Sequence, residues 1–347
     1  LLAAVLFTAS NLLTPYLLHR MIGSEEVYRA TMSYLDWRVY GFFFSFIAVM
    51  FRAFYVSTTN TKILTANSVV MVLTNVVLNY ILIFGKFGFP ALGIAGAAIA
   101  SSISEAVSVM FFVIYTWKKV DYKKYGLFRF TRVDFRMLGQ ILSVSIWVMI
   151  QHGIAFGGWF IFFIAMEHLG ERPLAITNVV RSISSFLFMF VNAFASTNSS
   201  LVSNLIGAGE SDRVLPLSRR MIGLCYAFVL PIGILIAMFP STVLRIYTDN
   251  PDLIASSIPS LWVMLSSYLF AVPGFIYFFS VSGTGNTRRA LEIDMASIFV
   301  YVLYILYVAV WLRADVAVCW TTEYVYNIMI LSSFFYLWKG NWRNKKI

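Results

Sequence analysis

The sequence predicts an all-α polytopic membrane protein, and three features of its composition indicate this class. Of the 347 residues, 60% are hydrophobic and only 12% are charged, about half the charged share of a soluble globular protein. The mean hydropathy is +0.79. A soluble domain of this size needs a polar surface that this composition does not supply. The apolar runs are continuous and do not alternate, which disfavours a β-barrel.

Ten apolar runs are long enough to cross a bilayer as helices, for which about 20 residues are needed. Pro231 and Pro273 lie inside two of these runs and indicate kinks. The run at 174–206 becomes polar near its end, so we expect it to extend beyond the membrane. The ten predicted spans are 1–19, 30–51, 63–84, 92–117, 137–166, 174–206, 216–239, 257–282, 290–312 and 316–338.

Lys and Arg are distributed unevenly between the two sides of these spans. One set of loops and adjoining span ends carries 18 of the 26 basic residues and the opposite set carries 7, and Arg181, which belongs to neither set, lies inside a span. Because cytoplasmic loops collect basic residues, we predict a cytoplasmic C-terminus and treat the net charge of +10 as a topology signal rather than a sign of a nucleic-acid partner. The basic-rich segments are 52–62, 118–136, 207–220, 283–289 and 339–347.

The chain contains a weak internal repeat that indicates two lobes. Residues 59–62 (TNTK) and 285–288 (GNTR) each open a span, and the next span in each copy contains one Glu, Glu105 or Glu323. Both copies run in the same direction, which is typical of a parallel repeat about an axis normal to the membrane. The second copy has six spans and the first only four. The run that starts at Leu1 also lacks the features of a signal peptide. We therefore expect a chain truncated at its N-terminus by two spans.

Three segments of the chain resemble the multidrug and toxic compound extrusion (MATE) family. They are 75–85 (NVVLNYILIFG), 88–101 (GFPALGIAGAAIAS) and 201–209 (LVSNLIGAG). Two further phrases, HLGERP at 168–173 and VSGTGNT at 281–287, resemble the branch found in Bacteroides-type bacteria.

The resemblance implies a twelve-helix, two-lobe transporter that opens to one side of the membrane at a time. On this mapping residues 1–117 form a partial N-lobe with helices 3–6, residues 118–136 form a cytoplasmic inter-lobe loop, and residues 137–347 form a C-lobe with helices 7–12. The family exports organic, often cationic, compounds in exchange for H⁺ or Na⁺. Many members carry an acid in helix seven, but here the span 137–166 contains none.

Ionisable residues at bilayer depth are costly and are therefore candidates for ion coupling. Glu105, Glu323, His152 and Arg181 fall in this class. Arg181 lies eight residues into its span, about 12 Å deep at 1.5 Å per residue, and we predict that it pairs with Glu323 at similar depth. The alternative for each Glu is a purely structural role, in which it accepts hydrogen bonds or pairs with an Arg. His152 could relay protons or simply bond a neighbouring helix.

Four residues are candidates for a substrate cavity: Gln151, Asn178, Trp159 and Tyr277. Aromatic faces attract cationic ligands, and Phe275 and Phe278 share this property. The alternative is a packing or interhelical role, since the chain holds 32 Phe, 19 Tyr and 9 Trp and amides often join membrane helices.

The most probable function from the sequence is a cation-coupled (H⁺ or Na⁺) antiporter of the bacterial inner membrane, with H⁺ slightly favoured. The expected partners are a small-molecule substrate and the lipid bilayer, with a monomeric protein, no cofactor and no metal. An alternative is a lipid-linked oligosaccharide flippase of the same superfamily. An intramembrane enzyme or a sensor is a third class, but no catalytic constellation is visible, and Cys225 and Cys319 lie inside apolar runs.

Overall fold

A computed structural model describes residues 2–21, 25–58, 60–121, 124–126, 134–340 and 342, and the described residues contain helices and turns but no strand. Short links at 211–213 (a 3₁₀ turn) and 306–311 (a π-helix) join longer helices. The helices are α1 Leu2–Met21, α2 Glu25–Arg38, α3 Gly41–Ser57, α4 Lys62–Phe84, α5 Gly93–Lys119, α6 Phe135–Leu169, α7 Glu171–Gly207, α8 Val214–Met238, α9 Pro240–Leu244, α10 Pro251–Gly283, α11 Thr287–Ile305, α12 Val316–Cys319, α13 Thr322–Leu331 and α14 Ser333–Lys339.

The all-α membrane fold predicted from the sequence is confirmed. Among the described residues, seven helices are long and apolar enough to cross a membrane, or eight if α2 and α3 are counted as one bent span. The predicted spans 1–19 and 316–338 are outside this count. The last predicted span is not one helix, because turns at Trp320–Thr321 and Ser332 divide it into α12, α13 and α14.

The chain forms two compact units, residues 1–132 and 133–347. In the first unit, α4 packs along α5 through a ladder of amide and hydroxyl groups. Asn67 donates to Ser108 over 2.8 Å, and Asn75 lies 3.3 Å from Ser101. Such small polar contacts hold helices together where lipid gives no hydrophobic driving force between them. The assignment of the two units to family helices 3–6 and 7–12 stays a prediction.

The predicted span 30–51 is broken near its middle. Helices α2 and α3 meet at an angle of 52°, and the Arg38 side chain at the end of α2 forms a two-pronged ion pair with Glu105 of α5, with distances of 2.7 and 3.0 Å. Gly41 fits against this pair, since a Cβ there would collide with Arg38 and lie 2.6 Å from the Glu105 carboxylate. Arg38, which lies inside the predicted span 30–51, is thereby held at the middle of α5.

The second unit is built around α10, which packs against α7, α8, α11, α13 and α14. Its internal prolines, Pro259 and Pro273, lie among residues that are mostly buried. α7 and α10 approach each other closely near the C-terminus of α10. There Asn198 donates to Ser280 over 2.6 Å and Ser203 donates to the Gly283 carbonyl over 2.8 Å. This crossing fixes α7 and α10 as two walls of the unit, while α11 packs against α6 and α13.

Substituting Ala for Gly283 should destabilise the second unit. A Cβ at this position would lie 2.6 Å from the Ser199 carbonyl oxygen, so α7 has to move away from α10. We expect the free energy of unfolding to fall by about 1–3 kcal/mol, measured as a lower melting temperature of the purified protein. Gly223→Ala in α8 is the control. No atom lies within 4 Å of a Cβ there, so this change should be neutral or stabilising. Equal melting temperatures for the two variants would contradict the close approach.

The predicted orientation, with the C-terminus in the cytoplasm, depends only on the distribution of basic residues and stays a prediction.

Candidate functional site

A cavity of about 650 Å³ lies within the second unit and is lined by residues of α6, α7, α10, α11 and α13. Its size falls in the range of small-molecule binding sites, about 300–1,000 Å³. Most of its wall is apolar, but four ionisable side chains of both signs line it. These are His152 of α6, Arg181 of α7, Asp294 of α11 and Glu323 of α13.

Asp294 is the buried acid that the sequence analysis missed. The residue is only 2% exposed, and its carboxylate accepts a hydrogen bond of 2.9 Å from the Tyr326 hydroxyl. The Gln151 side chain of α6 also approaches this carboxylate. Asp294 thereby connects α11 to α13 and α6 at the cavity wall.

Glu323 lies in the same cavity without a basic partner among the described ion pairs. Its carboxylate lies near enough to the hydroxyls of Tyr268, Tyr301 and Tyr326 to interact with them electrostatically. Two polar atoms of the cavity-lining residues are buried without a hydrogen-bond partner, the Tyr301 hydroxyl and the Asn327 side-chain oxygen. Asn327 follows Glu323 by four residues, so both occupy the same face of α13.

The predicted ion pair between Arg181 and Glu323 is not formed. The Arg181 guanidinium instead lies over the ring of Phe163, 4.7 Å from its centre, as a cation–π contact between α7 and α6. Ser184 lies one turn beyond Arg181 on α7. The Tyr268 hydroxyl of α10 donates a hydrogen bond of 2.7 Å to the Ser184 carbonyl. Tyr268 lines the cavity together with Arg181 and Glu323.

The structure brings five of the eight candidate residues to this cavity. Gln151, His152, Trp159, Arg181 and Glu323 line it, together with Phe275 and Phe278.

The other three candidates are elsewhere. Glu105 is in the first unit, where it pairs with Arg38, which is the contact that the structural alternative for this acid predicted. Asn178 is exposed outside the cavity, and its carbonyl accepts a bond from Ser182. Tyr277 is buried against Phe334.

The sequence contained a usable signal for Asp294. The residue lies seven positions after the start of α11, about 10 Å along the helix, and inside the predicted span 290–312, but it was not included among the ionisable residues at bilayer depth. Tyr268, Tyr301, Tyr326 and Asn327 had no such signal, because aromatic and amide residues are frequent throughout the chain. Among the described residues, no group of three or more His, Cys, Asp or Glu side chains is placed to hold a metal ion.

The family model and the curated relatives that match this sequence agree with one another. The MatE family model matches residues 1–81 and 154–310. The chain is 28% identical to the probable multidrug resistance protein NorM of Thermotoga maritima over 68% of its own length and 50% of the relative's. It is 26% identical to the probable multidrug resistance protein YoeA of Bacillus subtilis over 78% of its length and 58% of the relative's. The chain thus spans about half the length of the curated relatives it matches.

Solved structures show the same fold at low sequence identity. A MOP superfamily transporter from Pyrococcus furiosus superimposes with a TM-score of 0.87 at 16% identity, over 98% of this chain and 75% of that one. The bent form of the Vibrio cholerae MATE transporter VcmN gives a TM-score of 0.82 at 17% identity, over 98% and 76%.

Proposed function

The chain belongs to the MatE family of multidrug efflux transporters, and from that premise we propose that it exports small organic compounds in exchange for a coupling cation. Members of this family are transporters and not enzymes. The protein is a multi-pass membrane protein, in agreement with its long apolar helices. The substrates, the coupling ion and the exchange itself are the proposal, and each is argued below from the cavity of the second unit.

The observation that carries the proposal is the pair of acids in one largely apolar cavity. Asp294 and Glu323 both line it, and neither has a basic partner among the described ion pairs. An ionised carboxylate in such a place is costly unless a cation or a proton offsets its charge. A cavity that binds a coupling ion and an organic cation at the same acids would exchange one for the other, since both compete for the same charge.

We propose H⁺ as the coupling ion. A proton requires only one titratable group, and Glu323 lines the cavity with Tyr268, Tyr301 and Tyr326 and lies on the same face of α13 as the unpartnered Asn327 oxygen. Na⁺ prefers several oxygen ligands, and the second carboxylate, Asp294, already accepts a hydrogen bond from Tyr326. Glu323 is therefore the residue that we expect to carry the proton.

A lipid-linked oligosaccharide flippase is less well supported. Such a transporter needs a strongly basic cavity for its phosphate-bearing substrate. Here two carboxylates line the same space as Arg181 and the exposed His152.

Transport by the full-length protein in proteoliposomes tests the proposal. With a cationic dye as substrate, we expect dye movement driven by a pH gradient in the absence of Na⁺. If a pH gradient is ineffective and a Na⁺ gradient alone restores full transport, the coupling ion is Na⁺. If neither gradient drives dye movement, cation-coupled export is overturned.

A further inference from the structure

Two adjacent arginines, Arg219 and Arg220, mark the point where α8 enters its apolar run. Residues 221–239 contain no charged side chain, and about 20 apolar residues are enough to cross a bilayer. Both arginines are exposed. They therefore lie at the boundary between the hydrocarbon of the membrane and its polar head groups.

Neither arginine of this pair belongs to an ion pair among the described residues. Other arginines of the basic-rich segments differ in this respect. Arg213 pairs with Glu210 over 2.8 Å, and Arg288 and Arg289 both pair with Glu292. Two adjacent guanidinium groups without an acid partner at a membrane surface attract anionic groups.

The exposed face of α8 beside the two arginines forms a shallow slot, whose floor is Gly223 and Ala227. At 3.6 residues per turn, Gly223 projects between the two arginines, one turn further along the helix, and Ala227 follows one turn later. No described atom lies within 4 Å of the place that a Cβ of Gly223 would occupy. Leu224 and Phe228, which are 53% and 54% exposed, line one side of the slot.

The direction of the side chains connects the arginines with the head groups. Side chains of an α-helix lean towards its N-terminus, and at this end of α8 that direction leads away from the apolar run. The arginine stems can then cover apolar surface while the guanidinium groups reach the polar boundary. Guanidinium N–H groups bind phosphate oxygens in pairs, and the slot offers apolar contact to a hydrocarbon chain.

We propose that this face of α8 binds an anionic phospholipid, with its phosphate between Arg219 and Arg220 and one acyl chain along the slot. The two guanidinium groups complement the net negative charge of such a head group. A zwitterionic phospholipid carries the same phosphate, but its ammonium group is repelled by the arginines. The site is separate from the cavity and concerns the lipid that surrounds the protein, not the exported compound.

Lipid binding to the purified full-length protein tests this assignment. Native mass spectrometry measures the affinity for phosphatidylglycerol and for phosphatidylcholine with the same acyl chains. We expect Arg219→Gln and Arg220→Gln each to weaken phosphatidylglycerol binding about fivefold, and the double variant roughly twentyfold or more. Arg213→Gln is the matched control. It removes one positive charge near the same end of α8, but from an arginine that already has an acid partner, so its effect should be below about twofold.

Two further measurements distinguish a lipid site from general attraction of anions. Gly223→Leu fills the slot without changing the charge, and we expect it to weaken phosphatidylglycerol binding about three- to fourfold, the effect of one displaced methylene group. Inorganic phosphate has the charge but no acyl chain, so it should not displace the lipid.

Unchanged phosphatidylglycerol binding in the double arginine variant, or an equal loss in Arg213→Gln, would overturn the site. An unchanged affinity in Gly223→Leu would overturn the placement of the acyl chain. Displacement of the lipid by inorganic phosphate would show that the arginines bind free anions instead.

Discussion

Glu323→Gln should abolish most gradient-driven transport while leaving the fold intact. The amide has the size of the acid but cannot release or bind a proton in the physiological range, so substrate movement loses its link to the pH gradient. We expect transport driven by the gradient to fall about ten- to a hundredfold, the usual size of coupling between two ligands of one protein. The measurement is dye movement in proteoliposomes with and without an imposed pH gradient.

The stability of Glu323→Gln tests whether Glu323 pairs with Arg181, as the sequence predicted, or lacks this partner, as in the structure. If Glu323 paired with Arg181, the substitution would leave a buried arginine uncompensated and would destabilise the protein. The structure contains no such pair, and the change removes an ionisable group from a largely apolar cavity. We therefore expect the free energy of unfolding to change by less than about 1 kcal/mol, or to increase.

Glu292→Gln provides the control for Glu323→Gln. Glu292 belongs to α11 but is exposed and pairs with Arg288 and Arg289 at the surface, so transport and its gradient dependence should be unaffected. Gradient dependence that survives Glu323→Gln would remove Glu323 as the proton carrier and leave Asp294 as the remaining acid of the cavity.

Glu105→Gln should have the opposite pattern, a large loss of stability with coupling retained. The Arg38 and Glu105 side chains are only 27% and 17% exposed and form a two-pronged pair. Removing the carboxylate leaves the arginine charge poorly compensated, and fully buried examples lose about 3–5 kcal/mol. Because this pair is partly exposed, we expect a loss of roughly 2–3 kcal/mol in the free energy of unfolding, measured by thermal or chemical unfolding of the purified protein.

Two further variants test whether this loss comes from the pair. In a double-mutant cycle with Arg38→Gln, the double variant should be less destabilised than the two single changes added together. Glu25→Gln removes the acid of the exposed pair with Arg29 in the same unit, and we expect an effect below about 0.5 kcal/mol. Additive effects in the cycle would show that the loss of stability does not come from the pair. Loss of gradient dependence in Glu105→Gln without loss of stability would show that Glu105 acts in coupling.

The contrast between these two acids shows where the sequence was sufficient and where it was not. Both Glu residues were found, because an acid inside a long apolar run stands out without any structural information. The partner of Glu323 was assigned wrongly, and no partner was named for Glu105. Arg181 was paired with Glu323 on the basis of depth alone, whereas depth does not specify which helix face a side chain occupies or which helices are neighbours.

The sequence by itself determined the class of the protein, most of its membrane helices and its family. The class and the helices depend on composition and on runs of about 20 apolar residues, which local sequence records directly. The family resemblance depends on the three segments 75–85, 88–101 and 201–209. The tertiary structure alone decided the site. It divides the predicted spans 30–51 and 316–338 into separate helices, and it pairs Arg38 with Glu105. It also brought Asp294, Glu323 and Arg181 to one cavity from three separate helices. The physical reason is that pairing and burial depend on how helices pack against one another, and contacts such as Arg38–Glu105, 67 positions apart in the chain, leave no local pattern in the sequence.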